Sequence, residues 1–181
     1  MCRGRQYEKP HPSPGDPPLV PGNGKVPLVE TPFGRLAGAI CFDVDFPSLV
    51  RQAGRGRADV FLGPADDWRA EDPVHAHDAA FRAIENGVSL VHQASGGLAL
   101  AVDYEGRVLA SSDYYTTDAQ VLVADVPTRG VGTIYATIGD LFAWLCIVAL
   151  AALAVVAVAA GQRRRSAVTA DTRVPEPQPA Q

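Results

Sequence analysis

Cysteine is scarce in this 181-residue chain: there are three, Cys2, Cys41 and Cys146. Cys41 has no partner at structural spacing and Cys146 falls inside an apolar run, so no disulfide framework is expected. Basic clustering is missing from residues 1–140, which carry a net charge of −6. With no basic stripe, nucleic acid is not an expected partner. The N-terminal stretch MCRGRQYEKPHPSPGDPP has no apolar core of the kind a secretory signal needs. No internal repeat is visible. His75 and His77 stand two apart on an expected helix and so face different sides. A metal centre is therefore not expected there, and no cofactor is implied.

What the chain does have is one long hydrophobic run. Leu141 to Ala160, LFAWLCIVALAALAVVAVAA, contains no charge, Pro, Asn or Gln. A helix of that length reaches roughly 30 Å, the thickness of bilayer hydrocarbon. No face of it is polar, which favours a membrane span over a buried core helix. Arg163 to Arg165 follow at once, whereas the twenty residues before the run hold only Arg129. The positive-inside rule then places the C-terminus in the cytoplasm and the rest outside. An exported domain with no export signal is what the C-terminal part of a longer membrane protein would look like. The tail from residue 162 is polar and Pro-rich and reads as a disordered cytoplasmic segment.

Four regions follow from the local patterns. Residues 1–24, rich in Pro and Gly, read as a loop. Residues 25–138 alternate strand and helix signals. VPLVETPFG and RLAGAICF read as strands, and FPSLVRQAGRGR as a helix with Pro47 at its start and Gly54 and Gly56 at its end. ADVFLGP is a buried strand, ADDWRAEDP a polar loop, and PVHAHDAAFRAIENG a helix from Pro73 to Asn86-Gly87. VSLVHQAS is another strand, GGLALAVDYEGRVLASS two strands around a turn, and AQVLVADVP a last strand. This order predicts an α/β layered domain with a mixed sheet. Residues 139–161 are the transmembrane helix and 162–181 the tail.

Cys41 is the residue with chemistry to explain. A cysteine in a strand is usually a small hydrophobe. This one falls where a strand gives way to a loop and a helix, the position at which α/β sheets collect ligands. The helix that follows can favour a thiolate, while Asp43 and Asp45 oppose it unless a cation intervenes. Lys9, His11, His75, His77 and His92 are the available bases and cations, and local sequence does not choose among the histidines. His92 alternates within a strand and reads as a packed or surface residue.

Five segments, in order, resemble the nitrilase superfamily, the carbon–nitrogen hydrolases. TPFGRLAGAICFDVDFP resembles the cysteine segment and YEKPHP the lysine segment. DVFLGPADDW and AAFRAIENGVSLVHQASGG resemble the two blocks after the cysteine, and AVDYEGRVLAS a later hairpin. Together they span roughly Tyr7 to Pro127. The apolar run after GDLFAW is similar to the arrangement in apolipoprotein N-acyltransferases, where a nitrilase-like domain outside the membrane precedes a final transmembrane helix. The resemblance implies a partial nitrilase-like αββα sandwich followed by one C-terminal transmembrane helix.

It also implies a reaction. An acyl chain from a phospholipid would pass to Cys41 as a thioester, then to the N-terminal amine of a lipoprotein. Cys41 would be the nucleophile and Lys9 the cation at the oxyanion. Phe42 and Asp43 stand where the acyltransferases usually have tyrosine and glutamate. Asp16, Asp67 and Trp68 are further candidates to line the site. Glu85 and Asn86 are expected to hold a helix end. The family's third catalytic group, a glutamate base well before the lysine, has no counterpart among these residues, and Glu8 does not match its motif. The chain alone is therefore expected to be inactive or nearly so. Two other expectations stand beside this one: a membrane-anchored amidase of the same superfamily, and a non-catalytic partner for a chain that supplies the missing N-terminal half.

Overall fold

A computed structural model describes residues 6–13, 16–17, 20–117 and 121–171, with the last helix's side chains described through Gly161. Cys2 lies outside the described residues. The chain divides into two units, Met1–Gly139 and Asp140–Gln181.

The first unit is a six-stranded mixed sheet in the order β1-β2-β3-β4-β5-β6. The strands are β1 Leu28–Thr31, β2 Gly34–Gly38, β3 Val60–Asp66, β4 Ser89–Ser95, β5 Leu98–Val102 and β6 Val108–Asp113. β2, β3 and β4 run parallel, joined by α1 (Pro47–Arg55) and α2 (Val74–Asn86); β1 and β5–β6 add antiparallel edges. Parallel neighbours need such crossover helices, so the strand–helix–strand–helix–strand reading fixed this core.

Register assigns each residue to a face. Leu28, Ala37, Phe61, Leu90 and Val102 stand abreast across β1 to β5. They share one buried cluster with Leu49, Val50 and Ala53 of α1 and Ala76, Ala79 and Ala83 of α2. The small side chains of α2 let it lie close to the sheet. Pro47 opens α1, as its preset φ allows. Gly87 closes α2 at φ +66, and a Cβ there would meet the Val131 carbonyl oxygen at 2.1 Å.

The opposite face carries the next row: Gly38, Leu62, Val91, Ala101 and Ala110. It is also apolar. Val29 and Leu62 remain 40% exposed on it, beside a groove of about 320 Å³ lined by residues such as Pro27, Leu36 and Pro64. One layer of helices thus covers one side of the sheet, half of an αββα sandwich.

Residues 121–127 correct one expectation: they form no strand. Val121 and Val123 are more than 80% exposed. Alternating apolar residues make a strand only with an edge to pair with. Here the chain instead runs back to the strand starts, where Pro127 accepts a hydrogen bond from Ser89 and Gly130 donates to Asp59. The short helix α3 (Ile134–Ile138) follows, its carbonyls capped by Arg51 and Arg55.

The second unit is α4, Leu141–Asp171. Its first 21 residues, Leu141–Gly161, have a mean hydropathy of 2.9, long and apolar enough to cross a membrane. The helix continues to Asp171 where an irregular tail was expected from residue 162; the remaining residues lie outside those described.

Candidate active site

The parallel strands β2 and β3 release their chains at one end of the sheet, and a cleft of about 720 Å³ opens there. Cys41 comes from the β2 exit, in a 3-10 turn running Cys41–Asp45. Asp66 and Trp68 come from the β3 exit, His75 from the first turn of α2, and Lys9, Ser13 and Asp16 from the N-terminal loop. Lys9 and Cys41 therefore face the same cleft, as the motifs imply.

Cys41 adopts φ +50. An L-residue there is strained by about 1–2 kcal/mol, a conformation that persists only when the surroundings enforce it. The result is an elbow that turns the side chain out of the sheet. Its Sγ lies 4.0 Å from the Asp66 carbonyl oxygen, a weak S–H contact at most. A cysteine filling a core would be enclosed; this one is partly accessible at the cleft.

Lys9 is oriented from both sides. Its Nζ donates to Ser13 Oγ at 2.5 Å and to Asp16 Oδ2 at 3.0 Å. The same Asp16 oxygen accepts from the Ser13 amide. The hydrogen bond from Lys9, then that from the Ser13 backbone, lower the Asp16 pKa. Asp16 thus keeps its charge and holds the ammonium in place.

Asp43, expected to line the site, does not reach the cleft: it is fully buried. It accepts hydrogen bonds from Tyr7 Oη at 2.7 Å, the His11 amide at 2.9 Å and His11 Nδ1 at 3.1 Å. Tyr7 and His11 bracket Lys9 by two residues on each side. One carboxylate two residues after Cys41 therefore fastens the lysine segment to the cysteine turn. Stacking of the His11 and Phe46 rings at 3.7 Å adds to the same joint. Burial first, then the Asp43 hydrogen bond, raise the Tyr7 pKa, so Tyr7 remains a donor.

Asp67 is likewise buried rather than lining the cleft. Its Oδ1 lies 2.7 Å from His75 Nδ1 and its Oδ2 3.6 Å from His92 Nε2. Burial alone would raise its pKa; the hydrogen bond of His75, the nearby His92 and the charges of both rings outweigh that and lower it strongly. Among the described residues this is the one group of three His or Asp side chains with ligand atoms within 4.8 Å. Within it, Asp67 and His75 share the 2.7 Å hydrogen bond, while His92 stands 3.6 Å from Asp67 without one. Of the two readings strand alternation left open for His92, packed or surface, the structure shows the first, at 1% exposure. His75, Asp45, Glu71 and Ser13 are cleft residues the sequence reading did not select. Burial raises the pKa of both Asp45 and Glu71. Asn86 holds the end of α2 by donating to the Arg82 carbonyl, and the Glu85 carbonyl accepts from Thr133.

A half-sandwich with a cysteine elbow and a lysine across a cleft at the parallel strand ends defines a class: an α/β protein with a candidate site at its strand exits. Residues 2–136 match the carbon–nitrogen hydrolase family, and the chain belongs to that family. It is 30% identical over 137 residues to the apolipoprotein N-acyltransferase of Geobacter metallireducens, covering 74% of this chain and 26% of that protein. It is 33% identical over 119 residues to that of Vibrio vulnificus, covering 62% of this chain and 23% of that one. The chain thus spans about a quarter of the length of these relatives. Among solved structures, an amidase from Nesterenkonia sp. AN1 superposes with a TM-score of 0.53 at 28% identity, over 61% of this chain and 44% of that one. That structure is of a mutant with the acetamide moiety of fluoroacetamide covalently added at its active site cysteine.

Proposed function

We propose that this chain is the cysteine-bearing half of a membrane-anchored acyltransferase resembling apolipoprotein N-acyltransferase. The observation that carries this reading is the shared cleft of Lys9 and Cys41 in a chain that continues into an apolar helix. The Cys41 sulfur attacks the ester carbonyl of a phospholipid: a C–S bond forms, the ester C–O bond breaks, and the lysophospholipid leaves with a proton as its alcohol. The Lys9 ammonium steadies the tetrahedral oxyanion in this step. The N-terminal amine of a lipoprotein then attacks the thioester, an amide forms, and the sulfur regains its proton. The glutamate base comes from the other half of the sandwich, whether in a longer form of the chain or in a partner. Docking of that half over the apolar sheet face would bury Leu62 and Val29, which are now exposed. The cleft lies on the outer side of the membrane and Arg163–Arg165 on the cytoplasmic side.

The test is acyl-thioester formation in vesicles of phosphatidylethanolamine and phosphatidylglycerol. The chain is supplied with the N-terminal half of a related acyltransferase, and label is localised by mass spectrometry. Label on Cys41 that hydroxylamine releases supports the reading; none, or label elsewhere, sinks it. The likeness to an amidase supports a second reading, hydrolysis of a small amide at the same cysteine. Turnover of butyramide with no thioester from phospholipid would favour it.

A further inference from the structure

We propose that His75 is a positioning residue for the cysteine elbow, clamping helix α2 to the Cys41–Asp45 turn through a charged ring that is hydrogen-bonded to Asp67 and ion-paired with Asp45. This deepens the proposed function, since it rests on Cys41 being the nucleophile.

The ring is 6% exposed and stands between two carboxylates. Nδ1 is 2.7 Å from Asp67 Oδ1, and Nε2 is 3.5 Å from Asp45 Oδ1. Asp67 can only accept, so Nδ1 carries a proton. A neutral ring would then aim the Nε2 lone pair at the Asp45 carboxylate. A protonated ring places its positive charge 3.5 Å from that carboxylate, an ion pair rather than a hydrogen bond. The surroundings therefore select the imidazolium. The pKa agrees in direction: burial lowers it, but the Asp67 hydrogen bond, the charges of Asp67 and Asp45 and the Cys41 backbone raise it further.

Other charged and aromatic groups face the pair as well. Glu71 adds a third carboxylate from the loop before α2, Asp78 and Arg82 act on Asp45 with opposite signs, and His92 packs edge-on against His75 at 5.3 Å. The site holds an excess of acid, which the His75 ring and Arg82 offset. The His75 ring lies against the turn whose first residue holds a left-handed backbone. Cysteine does not adopt that conformation unaided, and an anchor on the same turn is what enforces it. Three elements meet at the ring: the turn through Asp45, the β3 exit through Asp67, and α2 through His75 itself.

The experiment uses the full chain in detergent with Cys2→Ser and Cys146→Ser, leaving Cys41 as the reporter. Amide exchange across Cys41–Phe46 and the rate of Cys41 alkylation by iodoacetamide are followed from pH 5 to 9, beside His75→Ala, His75→Gln and Asp67→Asn. In His75→Ala, exchange should rise at least tenfold at pH 5 to 6, and the difference from the parent should shrink as pH rises through the parent's transition. The glutamine amide can donate towards Asp45 without titrating, so His75→Gln should recover protection and lose the pH transition. Asp67→Asn should resemble the parent at pH 5 and lose protection by pH 8, a comparison made within one folded protein. The proposal is overturned if His75→Ala exchanges like the parent, if His75→Gln does no better than alanine, if Asp67→Asn has no transition, or if a chelator-resistant metal is found on the chain. Alkylation separates the two readings. A Cys41 no more reactive than free cysteine, with exchange behaving as stated, would remove the nucleophile and leave the clamp.

Discussion

Replacing Asp43 by alanine should release the lysine segment while leaving the sheet intact. The carboxylate is fully buried and accepts from Tyr7 Oη, the His11 amide and His11 Nδ1 at 2.7, 2.9 and 3.1 Å. Hydrogen bonds to a charged acceptor contribute about 1.5–3 kcal/mol each, and a donor stranded in the interior costs about 1–3 kcal/mol. Tyr7 and His11 lie near the surface and can swing into water, so the stranding cost is largely escaped by detachment. Three bonds to one carboxylate do not add in full, so the expected loss is at least about 3 kcal/mol of attachment free energy, of which the surviving Gly22 amide to Lys9 carbonyl hydrogen bond restores little. A loss of 3 kcal/mol is roughly a hundredfold in the opening equilibrium. Amide exchange resolved by residue is the assay. The His11 amide should exchange about a hundredfold faster in the Asp43→Ala chain, while Ala79 and Ala83 of α2 keep the parent's protection. An unchanged His11 amide would refute the tether. Equal acceleration in α2 would refute its locality, because the loss would then be global.

Three further outcomes follow from the same contacts. Lys9→Met removes the ammonium held by Asp16, and thioester yield on Cys41 in the reconstituted assay should fall about 10²–10³-fold, as for loss of an oxyanion donor; Lys9→Arg should retain part of it. The stability that His75 and Asp67 contribute is bounded in pH on both sides. The His75 pKa lies above its ordinary 6.5, so its contribution is complete below that pH and is lost as pH rises through the folded value. The Asp67 pKa lies below its ordinary 3.8, so its contribution is present above that pH and is lost as pH falls through the folded value. The difference in Tm between parent and His75→Ala should therefore be greatest between 3.8 and 6.5 and shrink above, as calorimetry across pH will show. Gly87→Ala forces a side chain into a left-handed position 2.1 Å from the Val131 carbonyl oxygen. It should cost more than about 3 kcal/mol, roughly 10 °C in Tm.

The sequence by itself determined the strand–helix order of the core and the cysteine's place at a strand exit, because those follow from hydrophobic periodicity and from Pro47 and Gly87 at helix ends. It determined the apolar span too, since twenty residues without a charge satisfy a length rule that needs no partner. The family resemblance named Lys9 and Cys41 as a pair, and that both line one cleft comes from the fold. Only the tertiary structure decided what Asp43 and Asp67 do. Both stand among polar residues in sequence, where nothing marks a carboxylate as buried, and both are buried because a side chain from a distant segment meets each one. His75 stayed hidden for the same reason: Asp67 is eight residues away and Asp45 thirty, and only the packing of α2 over the strand exits makes them neighbours. Residues 121–127 show the converse limit, since alternation is a local property and a strand requires pairing with an edge, which this segment does not make.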